Sequence, residues 1–227
     1  MKTEIEYGPA FATAKIHLDQ GESVQAGAGV LLAMSPQIEI ETSTRGGVLK
    51  GLRRSVLGGA SFFQNTFTAT GPDAHLIVAP ALAGDIVSWP LEGATVYLQS
   101  GAYLAAAPEV TIDTEFAGTK SLFGSGGGFF ALKCQGFGEV LVSTYGAIYA
   151  RDLAAGEQYV VDTGYLLAWS EGVSYDLERI GNWKSTLASG EGLVSRLTGP
   201  GRIYIQTRSQ RRFIEWLVPF LPDRSSS

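Results

Sequence analysis

Apolar and polar residues alternate in short runs along most of the chain. The runs Ile38 to Glu41 and Val110 to Asp113 both alternate with a period of two. This period predicts β-strands with one buried and one solvated face. Because turns containing glycine or proline separate many such runs, as in sandwiches and barrels, the pattern predicts an all-β fold.

One stretch of sequence occurs three times in register. It reads AGAGVLLAMSPQIEIET around Gly29, LQSGAYLAAAPEVTIDT around Gly101 and VDTGYLLAWSEGVSYDL around Gly164. Self-similarity with a period of about 60 to 70 residues indicates an internal repeat, in which each unit is one supersecondary structure. We therefore predict a single globular chain of three β units related by a pseudo-threefold arrangement. The predicted units are residues 11–80, 84–145 and 146–207.

The C-terminal segment RSQRRFIEWLVPFLP departs from this pattern because its apolar residues follow helical spacing. Pro219 disrupts the final turn. We expect a short helix within residues 208–222 that docks on a sheet or on a neighbouring subunit, and a disordered tail at residues 223–227. The predicted apolar face of the helix consists of Phe213, Trp216, Leu217 and Phe220.

Composition narrows the class of protein. Charged residues make up 17% of the chain, below the roughly 25% of typical soluble domains, which predicts that subunit contacts cover part of the surface. A net charge of -5 disfavours sequence-independent binding of nucleic acid. The single cysteine, Cys134, excludes an intramolecular disulfide and fits a reducing compartment. With no signal-like N-terminus and no apolar run of about 20 residues, the expectation is a cytoplasmic protein.

The residues that could carry catalysis are few. His17 and His75 are the two histidines, and neither belongs to an HxH or HxE spacing that would gather metal ligands. Cys134 has no histidine near it in sequence, so we interpret it as a small buried apolar residue. No GxSxG nucleophile motif occurs. The sequence predicts no metal, no cofactor and no catalytic activity.

Two recurring features are interpreted as structural. An acid recurs at Glu41, Asp113 and Asp176, which predicts the solvated face of equivalent strands. The GSGGGF stretch at residues 124–129 predicts a tight hairpin, because neither a Walker motif nor a strand-linked GxGxxG accompanies it.

The first unit contains an expanded segment, RGGVLKGLRRSVLGGASFF, that mixes cations with apolar residues. This composition is typical of segments that lie at a membrane interface, but a long hairpin packed on a neighbouring subunit, with its cations solvated, is the simpler interpretation. Both interpretations stay open. A basic residue also recurs once in each unit, at Arg53, Lys120 and Lys184. The candidate membrane or partner surface consists of Arg45, Lys50, Leu52, Arg53, Arg54, Leu57, Phe62 and Phe63.

The three glycine-anchored units, the segment GGVLKGLRRSVLGGASFF and the FFQNTFTATG that overlaps its end resemble a widespread bacterial family labelled as a domain of unknown function. Its eukaryotic relatives are the mitochondrial biogenesis proteins named for altered inheritance of mitochondria. The resemblance covers residues 3–207. It implies β-sandwich units similar to the tryptophan RNA-binding attenuator protein (TRAP), and a homotrimer whose chains close into a ring. The mitochondrial relatives imply a link to inner-membrane organisation.

Together these points predict a non-catalytic, ring-forming scaffold or interaction protein, with a membrane surface or a protein as its partner. The alternative is a module of the attenuator type that binds a small ligand or RNA. RNA is disfavoured because the recurring basic set, Arg53, Lys120 and Lys184, has no aromatic stacking partner common to all three units. The identity of a small ligand stays open. A membrane partner would add peripheral membrane association to the cytoplasmic localisation.

Overall fold

Strands dominate the part of the chain that the structure describes. In this computed structural model the described residues contain one α-helix, α1 (Gln210–Leu217), followed by a 3₁₀ turn at Val218–Phe220. The predicted all-β class and the short C-terminal helix are confirmed. The described residues are 1–43, 64–117, 129–179 and 193–221.

Seventeen strands follow one another along the described residues. The first seven are β1 (Lys2–Glu6), β2 (Thr13–Leu18), β3 (Ser23–Gly27), β4 (Leu31–Met34), β5 (Ile38–Ser43), β6 (Gln64–Ala69) and β7 (Ala74–Val78). The next four are β8 (Ile86–Gln99), β9 (Tyr103–Ala106), β10 (Val110–Ala117) and β11 (Phe129–Ser143). The last six are β12 (Ile148–Leu153), β13 (Gln158–Asp162), β14 (Leu166–Ser170), β15 (Ser174–Arg179), β16 (Leu193–Thr198) and β17 (Gly201–Gln206).

Period-two alternation places the core as expected. In β2, Ala14, Ile16 and Leu18 are buried while the residues between them are partly exposed. The two alternating runs used for the prediction begin β5 and β10. The predicted solvated acids are confirmed as exposed, and they are Glu41, Asp113 and Asp176.

The strands form three antiparallel sheets. The first has the order β1-β2-β7-β4, and a small one has the order β13-β16-β15. The largest has the order β12-β17-β14-β8-β11-β9-β3-β6-β5, with β10 also paired to β11. The long strand β11 shifts register between Gln135 and Phe137. Gly136 lies there at a φ of +134°, and a Cβ at this position would overlap the carbonyl oxygen of Glu109, so the bulge requires glycine.

Similar pairings occur in the first, middle and last parts of the chain. Strand β7 pairs with both β2 and β4, and β17 pairs with both β12 and β14. In the middle part, the second half of β11 pairs with both the start of β8 and β9. TRAP-like sandwiches and their pseudo-threefold arrangement stay a prediction.

The core runs across the boundaries between the predicted units. Leu104 and Ala105 of β9 lie in one apolar cluster with Val24 and Ala26 of β3. A second apolar cluster crosses the boundary between the second and third predicted units, where β8 packs with β14. Its members at that boundary are Val96 and Leu98 of β8 and Leu167 and Ala168 of β14.

Helix α1 lies on the surface. The Ser209 side chain caps it by accepting a hydrogen bond from the backbone N–H of Arg212. Phe213 packs edge-on against Tyr145, with ring centroids 6.2 Å apart. No side chain of α1 is buried, and Trp216 is 62% exposed. Arg212 also lies 3.9 Å from Asp162 of β13, so the helix docks on the same chain through one side only, and contact with a neighbouring subunit stays a prediction.

Candidate functional site

The candidate membrane or partner surface, from Arg45 to Phe63, lies outside the described residues. Strand β5 ends at Ser43 and β6 begins at Gln64, and these two residues pair with each other. Lys120 and Lys184 of the recurring basic set also lie outside the described residues. Lys120 comes between β10 and β11 in the sequence, and Lys184 comes between β15 and β16. In both cases the last residue of the first strand pairs with the first residue of the second. The functional roles assigned to these residues stay predictions.

The two histidines lie next to each other, which their spacing in the sequence concealed. His17 of β2 is directly opposite His75 of β7, and their ring centroids are 5.9 Å apart. The Nε2 atom of His17 lies 3.6 Å from a carboxylate oxygen of Glu4. Only strand register, which is a tertiary feature, could have revealed this pair. Even so, the described residues contain no group of three or more His, Cys, Asp or Glu side chains able to hold a metal ion.

The cysteine is buried, as its apolar surroundings in the sequence predicted. Cys134 is fully enclosed, and this burial raises the pKa of its thiol to about 12. The thiol therefore stays protonated at physiological pH. Since the thiolate is the nucleophilic form, Cys134 acts as part of the core.

Two bidentate ion pairs lie on exposed sheet faces. Arg202 holds Asp152 at 2.6 Å across β17 and β12, and Arg196 holds Glu178 at 2.7 Å across β16 and β15. Hydrogen bonding to these guanidinium groups lowers the pKa of each carboxyl below its usual value. Both pairs link neighbouring strands and have a structural role.

Strand β4 exposes a side chain whose counterparts are buried. Leu32, Leu104 and Leu167 each lie three residues after one of the repeated glycines. Leu104 and Leu167 are fully buried, whereas Leu32 is 62% exposed. The difference follows from strand pairing. Strand β9 pairs with β3 and strand β14 pairs with β8, while in the described residues β4 pairs only with β7.

Strand β13 is an edge strand of the sheet β13-β16-β15 in the last part of the chain. Gln25 of β3 and Val160 of β13 both lie four residues before a repeated glycine. Gln25 is 6% exposed, whereas Val160 is 47% exposed. Strand β3 pairs with β6 on one side and with β9 on the other. In the described part of the chain, β13 pairs only with β16. Strands β4 and β13 are thus both edge strands of their sheets, and each exposes an apolar side chain.

A cavity of about 630 Å³ forms where the three repeated turns come together. Gly29, Gly101 and Gly164 all line it, and Arg211 and Ile214 of α1 contribute to its wall. A Cβ placed on Gly29 or Gly101 would meet no atom of the described part of the chain within 4 Å. Sequence reasoning treated the repeated glycines as framework and missed that they share one cavity.

An amide network lies at the wall of the cavity. Gln206 is almost fully buried, its Nε2 donates to the carbonyl oxygen of Gly164 at 3.2 Å, and its Oε1 accepts the backbone N–H of Tyr145 at 3.0 Å. Among the described lining residues Arg211 carries the one charged side chain, and its Nε lies 2.7 Å from Glu215. The wall can thus donate hydrogen bonds, and it presents no carboxylate.

These features define an all-β protein whose edge strands β4 and β13 expose apolar side chains and whose three repeated turns line one cavity. Residues 3–208 match the family described as mitochondrial biogenesis AIM24, so the chain belongs to the AIM24 family. This confirms the resemblance found in the sequence. No helix among the described residues is both long and apolar enough to cross a membrane.

Two relatives from Streptococcus pyogenes match nearly the whole chain. An uncharacterised protein of serotype M6 is 29% identical over 234 residues, which cover 100% of this chain and 93% of the relative. The crystal structure of another S. pyogenes protein is similar with a TM-score of 0.82 and 27% identity, and the match covers 97% of this chain and 99% of that one. Neither description states a function.

Proposed function

We propose that this protein is a non-catalytic scaffold that assembles with further copies of itself through its open sheet edges. The observation that carries the proposal is the exposure of Leu32, where Leu104 and Leu167 are fully buried. An exposed edge strand with apolar side chains is a template for pairing with another chain, and monomeric proteins usually protect such edges.

The pairing inside the chain defines the geometry of the assembly. Strand β3 pairs with the strand after Gly101, and the end of β8 pairs with the strand after Gly164. By position in the repeated sequence, β13 corresponds to β3 and β4 corresponds to β9. Continuing the series places β13 of one copy against β4 of the next.

This joint is head-to-tail, because it uses different surfaces on the two copies. Head-to-tail contacts between identical chains form a closed ring when the rotation per copy divides a full turn. We propose that three copies close the ring, as the family resemblance implies, with TRAP-like units continuing around it in pseudo-threefold steps. The low content of charged residues, 17%, supports an extensive contact between copies.

Substitutions on each open edge test the joint. We expect the wild type to be a trimer by light scattering and native mass spectrometry. Leu32→Glu on β4 and Val160→Glu on β13 should each give monomers, because a carboxylate would be buried unpaired in the joint. Phe137→Glu is the matched control, since Phe137 is 67% exposed but lies on neither edge, and this variant should stay trimeric.

Mixing the two edge variants tests the head-to-tail arrangement itself. The Leu32→Glu copy keeps an intact β13 edge and the Val160→Glu copy keeps an intact β4 edge. An equimolar mixture should therefore form heterodimers with one good joint and should not form trimers. A monomeric wild type, a mixture that stays monomeric, or edge variants that remain trimeric would each refute the proposal.

The surface that the ring presents to a partner is a separate part of the proposal. The segment Arg45–Phe63 would occur in every copy, and several weak contacts in one assembly bind with increased avidity. Co-sedimentation with anionic and neutral liposomes tests a membrane partner. Binding to anionic liposomes that is lost on combined Arg53→Glu and Arg54→Glu substitution supports the membrane, whereas equal binding by that variant excludes this surface.

A further inference from the structure

We propose that the cavity among the three repeated turns binds a small organic anion, a carboxylate or phosphate ester carried on an apolar body. Its volume of about 630 Å³ lies in the range of roughly 300 to 1,000 Å³ found for small-molecule sites. Residues of all three repeated turns contribute to its wall. The lining comes from one chain, so the site does not depend on the proposed assembly.

The apolar part of the ligand would occupy space created by the repeated glycines. No atom of the described residues lies within 4 Å of a Cβ built on Gly29 or Gly101. Val30, Leu82 and Ile214 line the same cavity and offer apolar surface. Burying an apolar body against such walls contributes about 25 cal/mol per Å². Glycine at both positions therefore leaves a vacant volume that side chains would otherwise fill.

The charge of the lining selects an anion. The whole chain is acidic, with 22 acidic and 17 basic residues, yet the described lining of the cavity has no carboxylate and one cation, Arg211. The Nε of Arg211 bonds Glu215, but a guanidinium has five N–H donors in a fork suited to carboxylate and phosphate. The remaining donors would bind the head group of the ligand.

Neutral donors add to this site. The Nε2 of Gln206 lies 3.5 Å from the Oε1 of Gln99, which leaves the NH₂ group of Gln99 as a donor at the lining. Gln210, at the first position of α1, also lines the cavity. Amide donors with one guanidinium make a site for an anion, because an oxyanion accepts hydrogen bonds and donates none.

Three probes with the same apolar body and different heads test the proposal. Octanoate, 1-octanol and octylamine would be titrated at millimolar concentrations into the Leu32→Glu variant, with the melting temperature and the heat of binding measured. A ligand that binds the folded state raises the melting temperature by mass action. We expect saturable binding of octanoate, binding of octanol at least about tenfold weaker, and none of octylamine. Phenyl phosphate tests the phosphate form of the anion.

Substitutions assign the binding to the cavity. Gly101→Leu should abolish octanoate binding by filling the space, and Arg211→Gln should weaken it by about tenfold. Trp216→Ala is the control for adsorption to the exposed apolar surface of α1 and should leave binding unchanged. Circular dichroism and melting of each unliganded variant verify that it is folded, and Gly101→Ala replaces Gly101→Leu if the leucine prevents folding, with weakened binding expected.

Several results would overturn the proposal. Saturable binding that persists in Gly101→Leu would place the ligand elsewhere on the protein. Equal affinity for octanoate and octanol would remove the selection for an anion, and equal affinity for octanoate in Arg211→Gln would remove the role of the arginine. Absence of binding by both octanoate and phenyl phosphate at millimolar concentration would exclude the site.

Discussion

Gly84 and Thr144 approach so closely that a Cβ on Gly84 would overlap the carbonyl oxygen of Thr144. These residues belong to two connections that follow β7 and β11, and the connections are joined by a parallel bridge between Gly84 and Gly146. The N–H of Gly146 also donates to the carbonyl oxygen of Ala83 at 3.0 Å. The contact holds successive parts of the fold together and leaves no room for a side chain.

We therefore expect Gly84→Ala to destabilise the protein by about 1 to 3 kcal/mol, the usual cost of overpacking. Gly101→Ala is the matched control, because among residues 1–43, 64–117, 129–179 and 193–221 its Cβ would meet no atom within 4 Å. That substitution should be neutral or stabilising by up to about 1 kcal/mol, since it restricts the unfolded chain. Urea unfolding measures both, and equal midpoints for the two variants would contradict the prediction.

Truncation of two tryptophans should affect stability very differently. Trp169 is 3% exposed and stacks between Tyr97 and Tyr175, with ring centroids 5.4 and 5.0 Å away. Trp169→Ala should reduce the free energy of unfolding by about 3 to 5 kcal/mol. Trp216→Ala on exposed α1 should change it by no more than about 0.5 kcal/mol. Denaturant unfolding checks both values, and a comparable loss in the two variants would show that α1 is packed in solution.

The ion pair between Arg196 and Glu178 should make stability depend on pH in acid. Two hydrogen bonds of 2.7 Å from Arg196 hold the pKa of Glu178 below its usual 4.5. Because the folded pKa is the lower one, this contribution is present above pH 4.5 and is lost as the pH falls through the folded pKa.

Melting temperatures of the wild type and Glu178→Gln, measured from neutral pH into acid, test this dependence. The wild type should be slightly more stable at neutral pH, as for exposed pairs in general, and the difference should shrink below pH 4.5. High salt at neutral pH should reduce the same difference. A difference in melting temperature that grows as the pH falls would contradict the lowered pKa of Glu178.

Cys134 should be inert while the protein is folded. Burial raises the pKa of its thiol to about 12, so almost no thiolate forms at mildly alkaline pH. A disulfide reagent such as Ellman's should react at the rate of unfolding in buffer and should label one thiol per chain at once in urea. Rapid stoichiometric labelling of the folded protein would show that the site opens.

Local patterns predicted the individual strands well. The alternating runs that begin at Ile38 and Val110 lie in β5 and β10, and the C-terminal segment with helical spacing of apolar residues forms α1. These predictions succeeded because period and turn residues act over a few positions. The partners of each strand were less predictable, because pairing joins residues far apart in the chain, as His17 and His75 show.

The candidate site was predicted less completely. The basic and apolar segment Arg45–Phe63 was chosen from composition, and it lies outside the described residues. The open edges were hidden because Leu32, Leu104 and Leu167 look equivalent in the sequence. Their exposure differs because each strand meets a different neighbour.

The strand pattern, the C-terminal helix and the threefold recurrence around Gly29, Gly101 and Gly164 follow from the sequence, because each depends on the identity and spacing of neighbouring residues. The cavity that these three glycines share became visible only in the fold. The same holds for the edge positions of β4, whose described partner is β7, and of β13, whose described partner is β16, because burial and free space depend on the partners that folding brings together. Residues that repeat in sequence therefore differ in what they can bind.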